Sequence, residues 1–387
     1  RQLPAWSRTA NYLCRRDFQL YQNTSVTYLP EGAILLRNLI DRAAKAERFI
    51  FLEYFILAEG KLWDELEKIL CAKAREGVEV KIIFDDFGNI KRFSGETIDR
   101  LREVGVEVFI FNPVHEYVNR LHFNYRDHRK IACIDGDVAY TGGVNIADEY
   151  ANIIERFGYW KDSGVCLEGE GAWGLTASFI RMCVNLGGVM HNEHDYYPHT
   201  PVKSEGFCQP FTDGPQNNPD NPAEDVFLQM ISGARRFLYI TTPYFIPDES
   251  LMRALCIAGD GGVDVRLMLP GKPDHWYADC VAESYFGELI KHGVKVYRYT
   301  PGFLHGKSIM VDREAAFVGS ANMDYRSFEL DYECGVMVYS APMIESLLED
   351  MDMIVDHSRL VTKEEWAKRS VLRRVFEPLL RLFAIWM

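Results

Sequence analysis

No run of 18 apolar residues occurs anywhere in the sequence, so no segment reads as a bilayer-spanning helix. C-x-x-C pairs are also missing. The nine cysteines, scattered from Cys14 to Cys334, read as reduced and mostly buried thiols facing a reducing compartment. Positive charge is scarce: 43 Lys and Arg against 56 Asp and Glu leave a net charge of −13, a poor field for holding a polyanion along a groove. General nucleic-acid binding is therefore not expected. The chain opens on Arg1 with neither an initiator Met nor a signal-peptide pattern, which suggests a trimmed piece of something longer.

The composition is that of a globular protein, and 387 residues suggest two or three domains. The chain repeats itself. Arg48-Phe-Ile-Phe-Leu-Glu-Tyr-Phe-Ile56 returns as Arg236-Phe-Leu-Tyr-Ile-Thr-Thr-Pro-Tyr-Phe-Ile246, Gly77-Val-Glu-Val as Gly262-Val-Asp-Val, and Gly105-Val-Glu-Val as Gly293-Val-Lys-Val, in the same order. Each Gly-Val-x-Val follows a segment of helical period, with the Gly as helix stop and the Val run as a buried strand. That alternation predicts an α/β fold of two duplicated α/β/α sandwich domains with mostly parallel sheets. A Pro-rich stretch from His199 to Pro222 separates them, giving domains 1–204 and 205–362 and a tail 363–387.

Each half carries the pattern H-x-K-x(4)-D, as His128, Lys130 and Asp135 and again as His305, Lys307 and Asp312. One such match is expected by chance roughly 0.03 times in a chain of this make-up. Two in register are no accident. Residues i and i+2 of a strand share a face, so imidazole and ammonium enter one pocket. A Gly-rich return follows each motif and ends on Asn145 or Asn322, whose amides can donate to an oxyanion. Two His, two Lys and two Asn suit substitution at a phosphodiester without a metal: a nucleophile, a proton donor and cations around phosphorus. No cofactor is expected.

The paired motifs resemble the phospholipase D superfamily. Asn124-Tyr-Arg-Asp-His-Arg-Lys130, Gly142-Gly-Val-Asn-Ile-Ala-Asp-Glu-Tyr150, Phe157-Gly-Tyr-Trp-Lys-Asp162, Tyr299-Thr-Pro-Gly-Phe-Leu-His305 and Asn322-Met-Asp-Tyr-Arg-Ser327 resemble bacterial cardiolipin synthases of that type across nearly the whole chain. The resemblance implies an active site between the repeats, with His128 as nucleophile forming a phosphatidyl-histidine and His305 as general acid and then base. It also implies that Asp162, 34 residues after His128, and Glu333, 28 after His305, orient the histidines. The implied reaction joins two phosphatidylglycerols into cardiolipin and releases glycerol, at the cytoplasmic side of a cell membrane. Hydrolytic phospholipase D activity, or another phosphatidyl transfer, uses the same motifs, and a nuclease of the superfamily would want a basic groove. A noncatalytic scaffold is hard to reconcile with two intact motifs, and the oligomeric state is left open.

Departures from the family pattern are visible. Gly143 stands where a Ser is usual, whereas Ser320 keeps the hydroxyl in the second half, and Asp331 stands where a His is expected. The two membrane-spanning helices usual at the start of family members are absent from this sequence. Glu53 lies in an otherwise apolar strand and is expected to meet a pocket cation or hydroxyl or a structural salt bridge, with Thr242 or Pro243 as its repeat counterpart. The cluster His191, His194, His199 and Cys183 lacks the H-E-x-x-H order and is not expected to hold zinc. In the tail, six Lys and Arg against three Glu, with Leu372, Val375, Phe376, Leu379, Leu380 and Phe383 at helical spacing, suit either an interfacial helix on anionic lipid or docking on the core.

Overall fold

The computed structural model describes residues 5–114 and 124–368. Both repeats fold as mixed sheets, and the helix–strand alternation accounts for the parallel part of each. Phe49–Tyr54, Glu79–Asp85 and Glu107–Phe111 run parallel in the first sheet, as do Phe237–Thr241, Asp264–Pro270 and Lys295–Tyr299 in the second. Apart from the short parallel pairing of Arg126–Asp127 with Asp331–Tyr339, the remaining pairs within these two sheets are antiparallel. They arise because each H-x-K strand, Lys130–Ile134 or Ser308–Val311, turns straight back through a hairpin into Val138–Gly142 or Ala315–Gly319. Hairpin returns of this kind do not show up in a helix–strand alternation.

Helices Gly32–Ala43, Lys61–Arg75 and Gly95–Glu103 cover the outer face of the first sheet, and Pro222–Gly233, Glu249–Asp260 and Trp276–Lys291 that of the second. Between the sheets lies a third apolar cluster drawn from both repeats. Phe51, Ile131 and Val165 meet Met310, Val318 and Val336 there, together with the helices Ala172–Asn185 and Met343–Asp356. Burying one continuous apolar layer against the other repeat is what holds the halves together.

The first helix, Ser7–Cys14, crosses the expected boundary. Its Trp6, Ala10 and Leu13 pack into the second repeat beside Phe211, Phe227 and Ile231, so this part of 1–204 belongs to the second sheet's outer layer. At the other end, Lys363–Ala367 is helical and Trp366 packs on the helix Trp276–Lys291, its indole N–H donating to the Glu283 carbonyl. The apolar stripe from Leu372 to Phe383 lies outside the described residues. No disulfide joins the cysteines, and Cys133, Cys166, Cys183, Cys208, Cys256 and Cys334 are buried.

Candidate active site

Two short parallel pairings bridge the repeats and set the geometry of the site. Arg126–Asp127 pairs with the start of the strand Asp331–Tyr339, Asp331 opposite Arg126 and Tyr332 opposite Asp127. Gly302–Leu304 pairs with Tyr159–Lys161, Leu304 opposite Lys161. One residue further along each bridge, His128 stands beside Glu333 and His305 beside Asp162. Backbone bonds extend the match, His128 N–H donating to Tyr332 O at 2.9 Å and His305 N–H to Lys161 O at 2.7 Å. Nδ1 of His128 lies 2.9 Å from Glu333 Oε1, and Nδ1 of His305 lies 2.6 Å from Asp162 Oδ2. Each imidazole is thus held by the other repeat's carboxylate. The in-repeat offsets of 34 and 28 residues locate the right acids but conceal this exchange.

The two carboxylates are secured differently. Ser320 Oγ donates to Glu333 Oε2, while Asp162 Oδ1 accepts from its own neighbour's amide, Ser163 N, at 2.8 Å. Gly143 explains the difference: a Cβ there would stand 2.2 Å from Asp162 Oδ1. The hydroxyl missing from the first repeat therefore leaves room for the Asp162 carboxylate.

Both histidines line a cavity of about 940 Å³, together with Asn145, Asn322, Arg326 and Asp331. Rings surround each imidazole: Phe55 has its centroid 5.1 Å from His128, and Tyr150, Trp160 and Phe303 lie 5.4 to 5.6 Å from His305. Burial, with Lys130 and Lys307 adding to it, holds the His128 imidazolium well below the ordinary range. Burial and Lys307 pull His305 down to about 4 against the favourable pull of Asp162. Burial likewise lowers Lys130 to about 8 and Lys307 to about 7. Burial pushes Glu333 up to about 7, whereas for Asp162 the nearby His305 and Lys307 overcome burial and keep the carboxyl below its usual value. Without substrate the site therefore holds two neutral imidazoles and two easily deprotonated ammonium groups. An entering phosphodiester reverses this, because its charge favours every protonated base around it.

The asparagines differ. Asn145 is partly committed, accepting from Ile56 N–H at 3.0 Å and donating to Tyr150 Oη at 2.8 Å, so one amide hydrogen remains for a ligand. Asn322 Oδ1 has no hydrogen-bond partner among the described residues, and neither has Asp331 Oδ1. Asp331 instead faces Arg326, with 3.3 Å between Nε and Oδ2, and burial raises its pKa well above the ordinary carboxyl value. Phe55, Trp160, Tyr150 and Arg326 had no expected role. Three of them sit inside the strings that carry the family resemblance, but a string does not say which side chain faces the imidazole.

Asp135 and Asp312 need correcting as catalytic groups. Each follows the last residue of an H-x-K strand, and five residues at about 3.3 Å put Asp135 roughly 17 Å along from Lys130. There Asp135 accepts from the backbone N–H groups of Glu47, Arg48 and Phe49, and Asp312 from those of Arg235, Arg236 and Phe237. Both take φ of 54°, a left-handed turn that Asp tolerates. They clamp the hairpin to the start of the central strand.

Glu53 also lies away from the cavity. Its Oε1 is 2.5 Å from Arg129 Nη2 in the layer between the sheets, and Arg129 also bonds Asp127 Oδ1 at 2.9 Å. Sheet pairing sets Glu53 opposite Ile131 and Thr241 opposite Ser308, so Thr241, rather than Thr242 or Pro243, is its repeat counterpart. The ion pair Glu53–Arg129 in one half matches Thr241 and Gly306 in the other. Among the described residues, His191, His194, His199 and Cys183 form no metal-ligating group, whereas His128, Asp331 and Glu333 bring ligand atoms within 4.8 Å of one another.

A family model described as cardiolipin synthase, PLD-like domain, matches residues 36–153 and 227–355, one stretch in each repeat. The chain belongs to this family. Cardiolipin synthase 2 of Bacillus anthracis is 36% identical over 93% of this chain and 70% of its own length, and the cardiolipin synthase of Halalkalibacterium halodurans is 36% identical over 97% and 75%. An uncharacterized protein of Streptococcus mutans is 38% identical over 97% of this chain and 81% of its own. Among solved structures, phosphatidylserine synthase of Haemophilus influenzae superposes with a TM-score of 0.71 at 15% identity, covering 98% of this chain and 96% of that one. At that identity the likeness speaks for the fold, two α/β repeats of the phospholipase D type.

Proposed function

We propose that the protein is a cardiolipin synthase that transfers a phosphatidyl group from one phosphatidylglycerol to a second and releases glycerol. The observation that carries this reading is the pair of crossed imidazole–carboxylate dyads in one cavity, in a chain that shares more than a third of its residues with named cardiolipin synthases. Nε2 of one imidazole attacks phosphorus, the P–O bond to glycerol breaks, and the departing alkoxide takes a proton from the other imidazole. A hydroxyl of the second phosphatidylglycerol then gives its proton to that imidazole and displaces the histidine. Lys130, Lys307, Asn145 and Asn322 meet the charge that gathers on the phosphoryl oxygens.

The roles divide on electrostatic grounds. Asp162, held ionised, is the better partner for an imidazolium, which suits His305 as acid and base. Glu333, raised to about 7, supports an imidazolium less well, which suits His128 as the neutral nucleophile. We place the active protein at a membrane holding anionic phospholipid, with 7–14 grouped with the second repeat. Incubation with phosphatidylglycerol vesicles, followed by mass spectrometry, tests the reading. Cardiolipin and glycerol are expected; phosphatidic acid alone would make the protein a hydrolase, and no lipid product would remove the assignment.

A further inference from the structure

Large apolar side chains left in water are individually ordinary, but their placement around one opening is informative. Phe87 and Ile90, in the turn after the strand Glu79–Asp85, are 56% and 47% exposed and line the mouth of the active cavity. Ile153 and Ile154, the latter 50% exposed, sit between Tyr150 and Arg156, both of which line the cavity. Trp276, at 67%, and Tyr277 open the helix Trp276–Lys291, flanked by the lining residues His275 and Ala278. Three segments from two repeats thus bring exposed apolar groups to one rim. Phe87, Ile90 and Tyr277 line the cavity itself and Ile153, Ile154 and Trp276 lie on the same segments beside it, whereas Val184, Val189 and Ile257 neither line the cavity nor adjoin a lining residue in sequence.

Charge on these segments runs against that of the whole chain. Lys91, Arg156 and Lys272 are exposed there against the single exposed carboxylate of Glu155, on a protein of net charge −13. Lys272 reaches across the repeats, its ammonium beside Gly158. Inside the opening, Phe55, Ile56, Phe157, Trp160 and Tyr244 continue the apolar lining towards the histidines. Aromatic and aliphatic groups interleaved with cations are what an interfacial surface on anionic lipid requires. A diacyl lipid also reaches a buried histidine most cheaply if its chains stay in the bilayer.

We propose that the rim formed by Phe87, Ile90, Ile153, Ile154, Trp276 and Tyr277 is the surface by which this protein inserts into an anionic phospholipid bilayer, with the cavity mouth facing the headgroups. This rests on the phospholipid substrate named above and adds where the membrane is met. Its occupant is a lipid surface; a second protein chain is the competing outcome.

The test compares three full-length chains: unaltered, Ile153→Ser with Ile154→Ser and Trp276→Ser, and a control with Val184→Ser, Val189→Ser and Ile257→Ser. Sedimentation with vesicles of phosphatidylglycerol and phosphatidylcholine should show the rim variant partitioning at least about tenfold more weakly, with the control unchanged. Turnover of dispersed short-chain phosphatidylglycerol by the rim variant should stay within about twofold of the unaltered chain, which also reports its folding. Rim and control variants that sediment alike overturn the proposal, as does a rim variant that changes only the oligomeric mass. If the unaltered chain turns over no short-chain lipid yet loses vesicle binding with the rim, the reaction assignment fails and the docking surface stands.

Discussion

His128 and Glu333 are 205 residues apart in sequence, yet Nδ1 of one lies 2.9 Å from Oε1 of the other. His305 and Asp162 repeat the relationship in the opposite sense at 2.6 Å. Neither repeat holds a complete dyad. This makes duplication functional: the bridges Arg126–Asp127 to Asp331–Tyr332 and Gly302–Leu304 to Tyr159–Lys161 exchange the orienting groups, and the apolar layer between the sheets keeps them in register.

The exchange predicts which variants share a defect. His128→Ala and Glu333→Gln should both fail to accumulate phosphatidyl-enzyme, the second falling on the order of 10²–10⁴-fold in rate because the imidazole is left in the wrong tautomer. His305→Ala and Asp162→Asn should instead still trap adduct from a substrate whose leaving group needs no proton. Intact-mass measurement after rapid quenching distinguishes the pairs. Adduct mapped to His305, or adduct lost in Asp162→Asn and kept in Glu333→Gln, would reverse the assignment.

Gly143 gives a second prediction. A Cβ at this position meets Asp162 Oδ1 at 2.2 Å, so Gly143→Ala should displace the carboxylate and slow turnover about 10²-fold, with little change in substrate affinity. Steady-state kinetics decide it. A variant with unaltered kcat would mean that Asp162 can move and still serve.

Much of this site is legible in the sequence. The H-x-K spacing named both imidazoles and both ammonium groups, although His128 and His305 stand just before the strands Lys130–Ile134 and Ser308–Val311 rather than on them, so proximity in the chain and not a strand period brings each Lys beside its His. The same motif misled at its last position. Asp135 and Asp312 recur with the same regularity for a mechanical reason, holding three backbone N–H groups of the neighbouring strand, and sequence spacing does not distinguish a chemical repeat from a structural one. Glu53 stands out in the sequence as expensive to bury, but its partner Arg129 follows only from the side of the sheet that each faces. Pairing between repeats lies further from view still, since nothing in either half alone tells a strand where the other half will lie.

The aspartate clamps predict a loss of stability with chemistry spared. Asp135→Ala and Asp312→Ala each leave three backbone N–H groups without their carboxylate, a cost of about 1–3 kcal/mol. Chemical denaturation should show each midpoint lowered, and active-site titration of the folded fraction should show turnover per site close to that of the unaltered chain. A specific loss of kcat in stably folded protein would return these residues to the chemistry.

Chelation offers a fourth check, because His128, Asp331 and Glu333 stand close enough to share a cation. Lysine and amide donors are expected to stabilise the phosphorane, so activity should survive EDTA. Loss on chelation and recovery with Zn²⁺ or Mg²⁺ would assign the charge stabilisation to a metal.

The pH profile follows from the lysines. In the empty site Lys307 gives up its proton at about 7 and Lys130 at about 8, both far below 10.5, because burial disfavours the ammonium. Above those values the positive charge that receives the phosphoryl group is lost, so kcat/KM, which reports the free enzyme and already declines above about 4 as the His305 imidazolium is lost, should fall more steeply as pH rises between about 7 and 8. Bound phosphodiester favours the ammonium form and raises both values, so the falling limb of kcat should lie at higher pH than that of kcat/KM. Lys307→Arg keeps a permanent charge at that position and should move the alkaline limb of kcat/KM upward even where it lowers the absolute rate. Initial rates on short-chain phosphatidylglycerol across pH 5 to 10 separate the two limbs; coincident limbs, or a limb unmoved by Lys307→Arg, would show that the lysines do not carry the titration.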